Sequence, residues 1–236
     1  MQPPKVKDPL FILDYDGTLA PIAATPEAAR PHPEAVPLLL ALAHRHPVFL
    51  VTGRRLWDLE KLLPVRGLPA YGVHGMEHGV LFGRVESLVP ETALAWLEHV
   101  REGLPQLPGL RVEDKGTAIA LHYRGAPDEA AVRAALKDWA RSLPEGLEAL
   151  WGKKVLEVRP RGFGKGRVAR TIAARHPERT PVVIGDDATD EEMFRALPEA
   201  ITIKVGEGPT AARYRLKDVD AVIAYLKQYL EQDEEK

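Results

Sequence analysis

Leu10-Phe11-Ile12-Leu13-Asp14-Tyr15-Asp16-Gly17 is a short apolar run that stops abruptly on two carboxylates and a glycine. It has the pattern of a buried parallel strand that runs into a turn. Two further stretches share the design. Val48-Phe49-Leu50-Val51 leads into Thr52-Gly53-Arg54, and Val182-Val183-Ile184 leads into Gly185-Asp186-Asp187. Helical periodicity fills the gaps, as from Pro33 to His44 and from Gly166 to Arg175. Strands that alternate with helices predict an α/β fold, a Rossmann-like, doubly wound parallel sheet. Such sheets place ligands beyond the carboxyl ends of their strands.

From about Gly83 to Pro160 the rhythm changes, because strand-like segments come in adjacent pairs. Leu110 to Glu113 and Thr117 to Arg124 flank Asp114-Lys115-Gly116, and Leu147 to Trp151 and Lys154 to Arg159 flank Gly152-Lys153. Two hairpins are expected, each preceded by a helix. The order α-β-β-α-β-β describes a small antiparallel sheet with helices on one face. The expected division is a core of residues 1–83 and 161–236, interrupted by an inserted α+β cap domain of residues 84–160. The acidic end from Glu231 to Lys236 is expected to be frayed and solvated.

Composition narrows the function classes. A chain of 236 residues with 45% hydrophobic and 28% charged residues is that of an ordinary globular protein. A net charge of −2 offers no excess of cations for a phosphate backbone, so no nucleic-acid partner is expected. The first nine residues contain no apolar leader, and no run approaches the roughly 20 apolar residues that span a bilayer. No membrane partner and a cytoplasmic location are therefore expected. The absence of cysteine excludes disulfides, thiolate nucleophiles and cysteine-based metal sites.

The chemistry must rest on oxygen and nitrogen groups. Asp14 and Asp16 lie two residues apart at a strand end, so on a continuing strand both carboxylates leave one face. Such a pair repels itself unless a cation sits among the oxygens. Mg²⁺ suits the case, since it takes one or two carboxylates together with water and substrate phosphate. Alone, Asp-x-Asp-Gly also fits a solvated turn or a calcium loop. An EF-hand counted from Asp14 would need glycine and glutamate where Leu19 and Thr25 stand.

The second acidic cluster, Gly185-Asp186-Asp187-Ala188-Thr189-Asp190, again follows an apolar strand. Acidic residues such as Asp190 also favour a helix start, but Asp186, directly after the glycine, is harder to explain in that way. If the two strands are neighbours, their acidic ends face one crevice and can share one cation. Thr52 offers a hydroxyl and Lys165 a positive charge ahead of a helix, both suited to phosphate. Either alone is better explained in a plainer way, as a helix cap for Thr52 and a solvated lysine for Lys165. Gly162-Phe163-Gly164-Lys165-Gly166 is neither a P-loop, which needs Ser or Thr at position 166, nor a dinucleotide fingerprint, which needs glycine at Arg167.

Taken in order, Asp14-Tyr15-Asp16-Gly17-Thr18-Leu19-Ala20-Pro21, Thr52-Gly53-Arg54, Lys165-Gly166 and Gly185-Asp186-Asp187-Ala188-Thr189-Asp190 resemble the four motifs of haloacid dehalogenase superfamily phosphatases. The resemblance implies an Asp14 nucleophile, an Asp16 general acid and base, and phosphate held by Thr52 and Lys165. It also implies Mg²⁺ bound by Asp14, the main-chain carbonyl of Asp16, and Asp186, with Asp187 and Asp190 supporting the metal from outside. Gly72-Val73-His74-Gly75-Met76-Glu77, Glu113-Asp114-Lys115-Gly116, His122-Tyr123-Arg124 and Leu156-Glu157-Val158-Arg159-Pro160 are similar to segments of trehalose-6-phosphate phosphatases.

That narrower resemblance implies sugar contacts from Arg54, His74, Gly75, Glu113, Lys115, His122, Arg124, Glu157 and Arg159. The strand pattern agrees, because His122 and Arg124 share one face of their strand, and Glu157 and Arg159 share one face of theirs. A small-molecule sugar-phosphate substrate, a monomer, and hinges near Gly83 and Pro160 to Gly164 are expected. Alternatives are a phosphatase of sucrose phosphate, mannosyl-3-phosphoglycerate or a hexose phosphate, a phosphomutase, and a non-catalytic sensor. The family commonly has serine at Thr52 and asparagine at Val73.

Overall fold

The structure, a computed structural model, describes residues 2–231, so the acidic end lies outside the described residues apart from Glu231. The chain begins with β1 (Pro9–Leu13), α1 (Ala35–Arg45), β2 (Val48–Val51), α2 (Leu56–Leu62), β3 (Pro69–Gly72), β4 (Glu77–Val80) and β5 (Val85–Ser87). An insertion follows, with α3 (Glu91–Glu102), β6 (Arg111–Asp114), β7 (Ile119–His122), α4 (Glu129–Trp139), β8 (Leu147–Gly152) and β9 (Val155–Pro160). The chain then forms α5 (Lys165–Ala174), β10 (Thr180–Gly185), α6 (Asp190–Ala196), β11 (Ile201–Val205), β12 (Tyr214–Leu216) and α7 (Val219–Lys227).

Two compact units result, one within Met1–Glu86 and Gly164–Lys236 and the other Ser87–Phe163. The larger is built on an eight-stranded sheet ordered β12-β11-β10-β1-β2-β3-β4-β5. From β12 to β3 all neighbours are parallel, and β4 runs antiparallel to β3.

Every residue of β1 is buried, which explains why this strand is uniformly apolar. Phe11 and Leu13 pack with Leu38, Leu39 and Leu42 of α1 and Val222, Ile223 and Leu226 of α7. Leu10 and Ile12 pack on the other side with Val168 and Ile172 of α5 and Met193 and Phe194 of α6. Helices cover both faces, as a parallel sheet requires.

The smaller unit is a four-stranded antiparallel sheet ordered β6-β7-β9-β8. Ile119, Leu121, Leu156 and Val158 pack in its own cluster with Leu97 of α3 and Val132 and Leu136 of α4. Two hairpins with helices ahead of them were legible from the residue pattern.

Candidate active site

The active-site candidates gather where β1, β2 and β10 end, because parallel strands deliver their carboxyl ends to one edge. Register places Leu13 beside both Leu50 and Ile184, so the residues that follow each strand emerge together. The Asp14 amide donates to the Ile184 carbonyl at 3.0 Å, which extends the β1–β10 pairing one step. Carboxylate oxygens of Asp14, Asp186 and Asp190 lie within 4.8 Å of one another.

Lys165, the first residue of α5, reaches into this group from beyond the insertion. Its Nζ donates to Asp14 Oδ1 at 2.8 Å and to Asp190 Oδ1 at 2.7 Å, and the lysine is only 2% exposed. Burial rules out a solvated lysine. Asp190 Oδ2 accepts the amides of Asp186 and Asp187 at 2.9 and 3.1 Å. Both Asp190 oxygens therefore have donors. Asp187 Oδ1 accepts the amides of Thr189 and Asp190 and the Thr189 hydroxyl, which forms the turn into α6.

Among the described residues no group donates a hydrogen bond to the Asp186 carboxylate, and that carboxylate approaches the backbone of Gly17. A Cβ added at Gly17 would stand 2.1 Å from Asp186 Oδ2, and the backbone there has φ of +71°. Only glycine satisfies both the turn and the approach. Close packing of Gly17 on Asp186 joins the two acidic loops.

Electrostatics marks this group as short of positive charge. Burial, with Asp190 next, raises the Asp14 carboxyl well above its ordinary range. Burial and the neighbours Asp190 and Asp187 push Asp186 up to about 7, and burial also raises Asp190. Burial would raise Asp187 too, but Lys165 and the Thr189 and Asp190 hydrogen bonds bring it down to about 2. For Lys165, Asp14 and Asp190 overcome the burial that disfavours its charge. The ammonium groups of Lys165 and Lys204, which both act on Asp186, do not neutralise the carboxylates of Asp14, Asp186, Asp187 and Asp190. A hard divalent cation with oxygen ligands suits the donor set.

The structure departs from the sequence expectation at Asp16. The chain turns after Leu13, and the carboxylates that gather with Asp14 are those of Asp186 and Asp190. Arg54 binds Asp16 with both arms of its guanidinium, each at 2.7 Å. The cation beside Asp16 is an arginine, and the third carboxylate of the cluster is Asp190.

Thr52 follows β2 directly, is fully buried, and accepts the Arg54 amide on Oγ1 at 3.1 Å. It does not cap α2, which starts at Leu56. Its main chain takes the His74 amide at 3.0 Å. Val73 and His74 have φ of 45° and 54°, a left-handed pair that costs about 1–3 kcal/mol per residue and is common at functional sites. The His74 ring lies against Gly53, where a Cβ would be 2.7 Å from Cε1. Gly75 packs on Val168 of α5.

Candidate residues of the smaller unit each find a hydrogen-bond partner within it. His122 Nε2 meets Glu113 Oε2 at 2.8 Å, and Lys115 donates to Glu157 Oε2 at 2.8 Å. Arg159 Nε donates to Glu148 Oε1 at 2.8 Å, and Arg124 donates to the Lys153 carbonyl at 3.3 Å. Glu113, Ala120 and Glu157 are consecutive partners across β6, β7 and β9. The small side chain of Ala120 leaves room for the longer ones beside it.

Two participants were given no role by the sequence. Lys204 on β11 donates to the Asp186 carbonyl, and its signal is a lysine inside Ile201-Thr202-Ile203-Lys204-Val205, an otherwise apolar strand. Glu77 Oε2 accepts the Leu56 amide at 2.8 Å and so fixes the start of α2.

A doubly wound core, an inserted α/β unit and acidic strand ends define the class first: this is the fold of haloacid dehalogenase superfamily phosphatases that carry a cap. The family described as Trehalose-phosphatase matches residues 12–220, and the chain belongs to that family, placing it among phosphoric monoester hydrolases. It is 33% identical to the trehalose-6-phosphate phosphatase of Escherichia coli, over 92% of this chain and 85% of the relative. It is 32% identical to a trehalose-6-phosphate phosphatase-related protein of Thermoplasma acidophilum, over 92% and 95%. The solved C-terminal domain of C. albicans trehalose-6-phosphate phosphatase superposes with a TM-score of 0.79 at 25% identity, over 94% of this chain and 91% of that one.

Proposed function

We propose that this protein hydrolyses trehalose 6-phosphate to trehalose and inorganic phosphate through a phosphoryl group carried on Asp14. What supports this most is the buried Asp14–Lys165–Asp190 group beside the donor-free carboxylate of Asp186, in a chain of the trehalose-phosphatase family. An Asp14 oxygen attacks phosphorus, the bond from phosphorus to the sugar oxygen breaks, and Asp16 gives its proton to that oxygen. Water then attacks the same phosphorus, Asp16 takes a water proton, and the bond to Asp14 breaks, regenerating the carboxylate. Lys165 and the Thr52 hydroxyl bind phosphate oxygens.

Asp14, Asp186 and the main-chain carbonyl of Asp16 would hold Mg²⁺, with Asp187 and Asp190 fixing the ligand loop. The ion would neutralise the carboxylates and the anionic phosphate, so that the two approach. Arg54, His74 and Gly75 in the core, and Glu113, Lys115, His122, Arg124, Glu157 and Arg159 in the inserted unit, contact substrate in this reading. The paired carboxylates and cations of the inserted unit suit a ligand rich in hydroxyl groups.

A single chain supplies every residue required, so a monomer suffices, which size analysis in solution checks. A cytoplasmic setting suits a chain without cysteine. No helix among the described residues is long and apolar enough to cross a membrane. The test is phosphate release over a panel of sugar phosphates, with Mg²⁺ and with a chelator. Trehalose 6-phosphate should be turned over best, and only with the metal, while Asp14→Asn should lower turnover at least about 10³-fold with an unchanged fold. Faster release from sucrose phosphate or a hexose phosphate would reassign the substrate, and isomerised sugar phosphate would indicate a mutase.

A further inference from the structure

Asp186 is held in an unusual way. Its amide donates to Asp190 Oδ2 at 2.9 Å, its carbonyl accepts from the Lys204 ammonium, and its carboxylate receives no donor from any described residue. Two side chains thus clamp the main chain on either side of a side chain left open. Lys204 is the less expected of the two. It lies on β11, is 7% exposed, and is paired in register with Gly185, the residue immediately before Asp186.

Thr202 and Lys204 alternate with Ile201, Ile203 and Val205, which pack in the cluster around α1 and α7. Lys204 therefore lies on the opposite side of the sheet from those residues. Among the described residues no carboxylate pairs with its ammonium, and the Asp186 carbonyl is the one acceptor it finds. Its charge also acts on the Asp186 carboxyl, where it favours the ionised form, so Lys204 engages the acidic loop through both its hydrogen bond and its charge. A methionine would fill the same volume and make neither interaction.

We propose that Lys204 is a positioning residue for the divalent-cation site: by gripping the Asp186 carbonyl from the neighbouring strand it fixes the loop so that the carboxylate faces the ion. This inference rests on the reading of Asp186 as a metal ligand. The sign of the effect separates positioning from charge. Removal of a positive charge beside a cation site, taken alone, tightens cation binding. Removal of an anchor loosens it, typically about 10- to 100-fold for a group behind a metal ligand.

The experiment titrates Mg²⁺ into substrate-free protein by calorimetry for the wild type, Lys204→Met, Lys204→Gln and Asp186→Asn, with thermal melts as the check on folding. Both Lys204 variants should bind Mg²⁺ at least about 10-fold more weakly than the wild type, and Asp186→Asn should lose binding almost entirely. A folded Lys204 variant that binds Mg²⁺ as tightly as the wild type, or more tightly, overturns the proposal. Wild-type affinity in Asp186→Asn instead overturns the metal-site reading beneath it, so the two failures are distinguishable.

Discussion

At the scale of single residues, the molecule concentrates opposing charges where water is absent. Lys165 is the ammonium between Asp14 and Asp190, all three buried. Lys165→Met should lower stability by about 3–5 kcal/mol near neutral pH, as removing one partner of a buried pair does. A urea midpoint checks this, and the loss should shrink near pH 5, where the carboxyls take up protons. Asp186 has an ordinary value of 3.8 and a folded value of about 7. Between those pH values the folded chain holds a proton that the unfolded chain has released, so metal-free stability falls as pH rises from about 4 to about 7.

Asp187 has the opposite sign, because its folded value of about 2 lies below the ordinary 3.8. Its contribution is present above about pH 4 and is lost as pH falls toward 2. Melting temperatures in chelator should therefore decline from pH 5 to pH 8, and Mg²⁺ should raise them more at pH 8 than at pH 5. An equal rise at both would remove the proton–metal competition. Asp14 and Asp186 were legible because an apolar strand that ends on a carboxylate is a local pattern. The Arg54–Asp16 pair and the Lys204 contact were not, since each depends on a turn or a register between distant segments.

At the scale of elements, uniform burial makes a strand easy to recognise and hard to place. The runs 10–13, 48–51 and 182–184 were recognisable as buried strands, but nothing in them orders the sheet as β10-β1-β2. The hairpin of β4 and β5 also went unseen as part of the core. Its residues are largely exposed, so no apolar run announces them. Helix starts carry their own chemistry. The Asp218 carboxylate accepts the Ala221 amide at 3.0 Å ahead of α7, whose Val222, Ile223 and Leu226 line the core. Asp218→Ala should cost about 1 kcal/mol, visible as a lowered denaturant midpoint with an unchanged slope. No change would mean that packing alone sets that helix start.

At the scale of the whole molecule, each unit has a hydrophobic cluster of its own. A fragment of residues 87–163 should therefore fold unaided, with a cooperative thermal transition by circular dichroism. A random-coil spectrum would show that this sheet depends on the rest of the chain. The same separation gives the core a particular history during synthesis. Strand β1 lies between β2 and β10, yet β10 is made only after the insertion is complete. At about 5–20 residues per second on a ribosome, one edge of β1 stays unpaired for several seconds while the insertion emerges and can condense. Lys165, 151 positions after Asp14 in sequence, emerges just ahead of β10, so its contact with Asp14 waits for the insertion as well. A chain stalled or truncated before β10 thus presents a central strand with an open edge, the species most prone to aggregate and most in need of a chaperone.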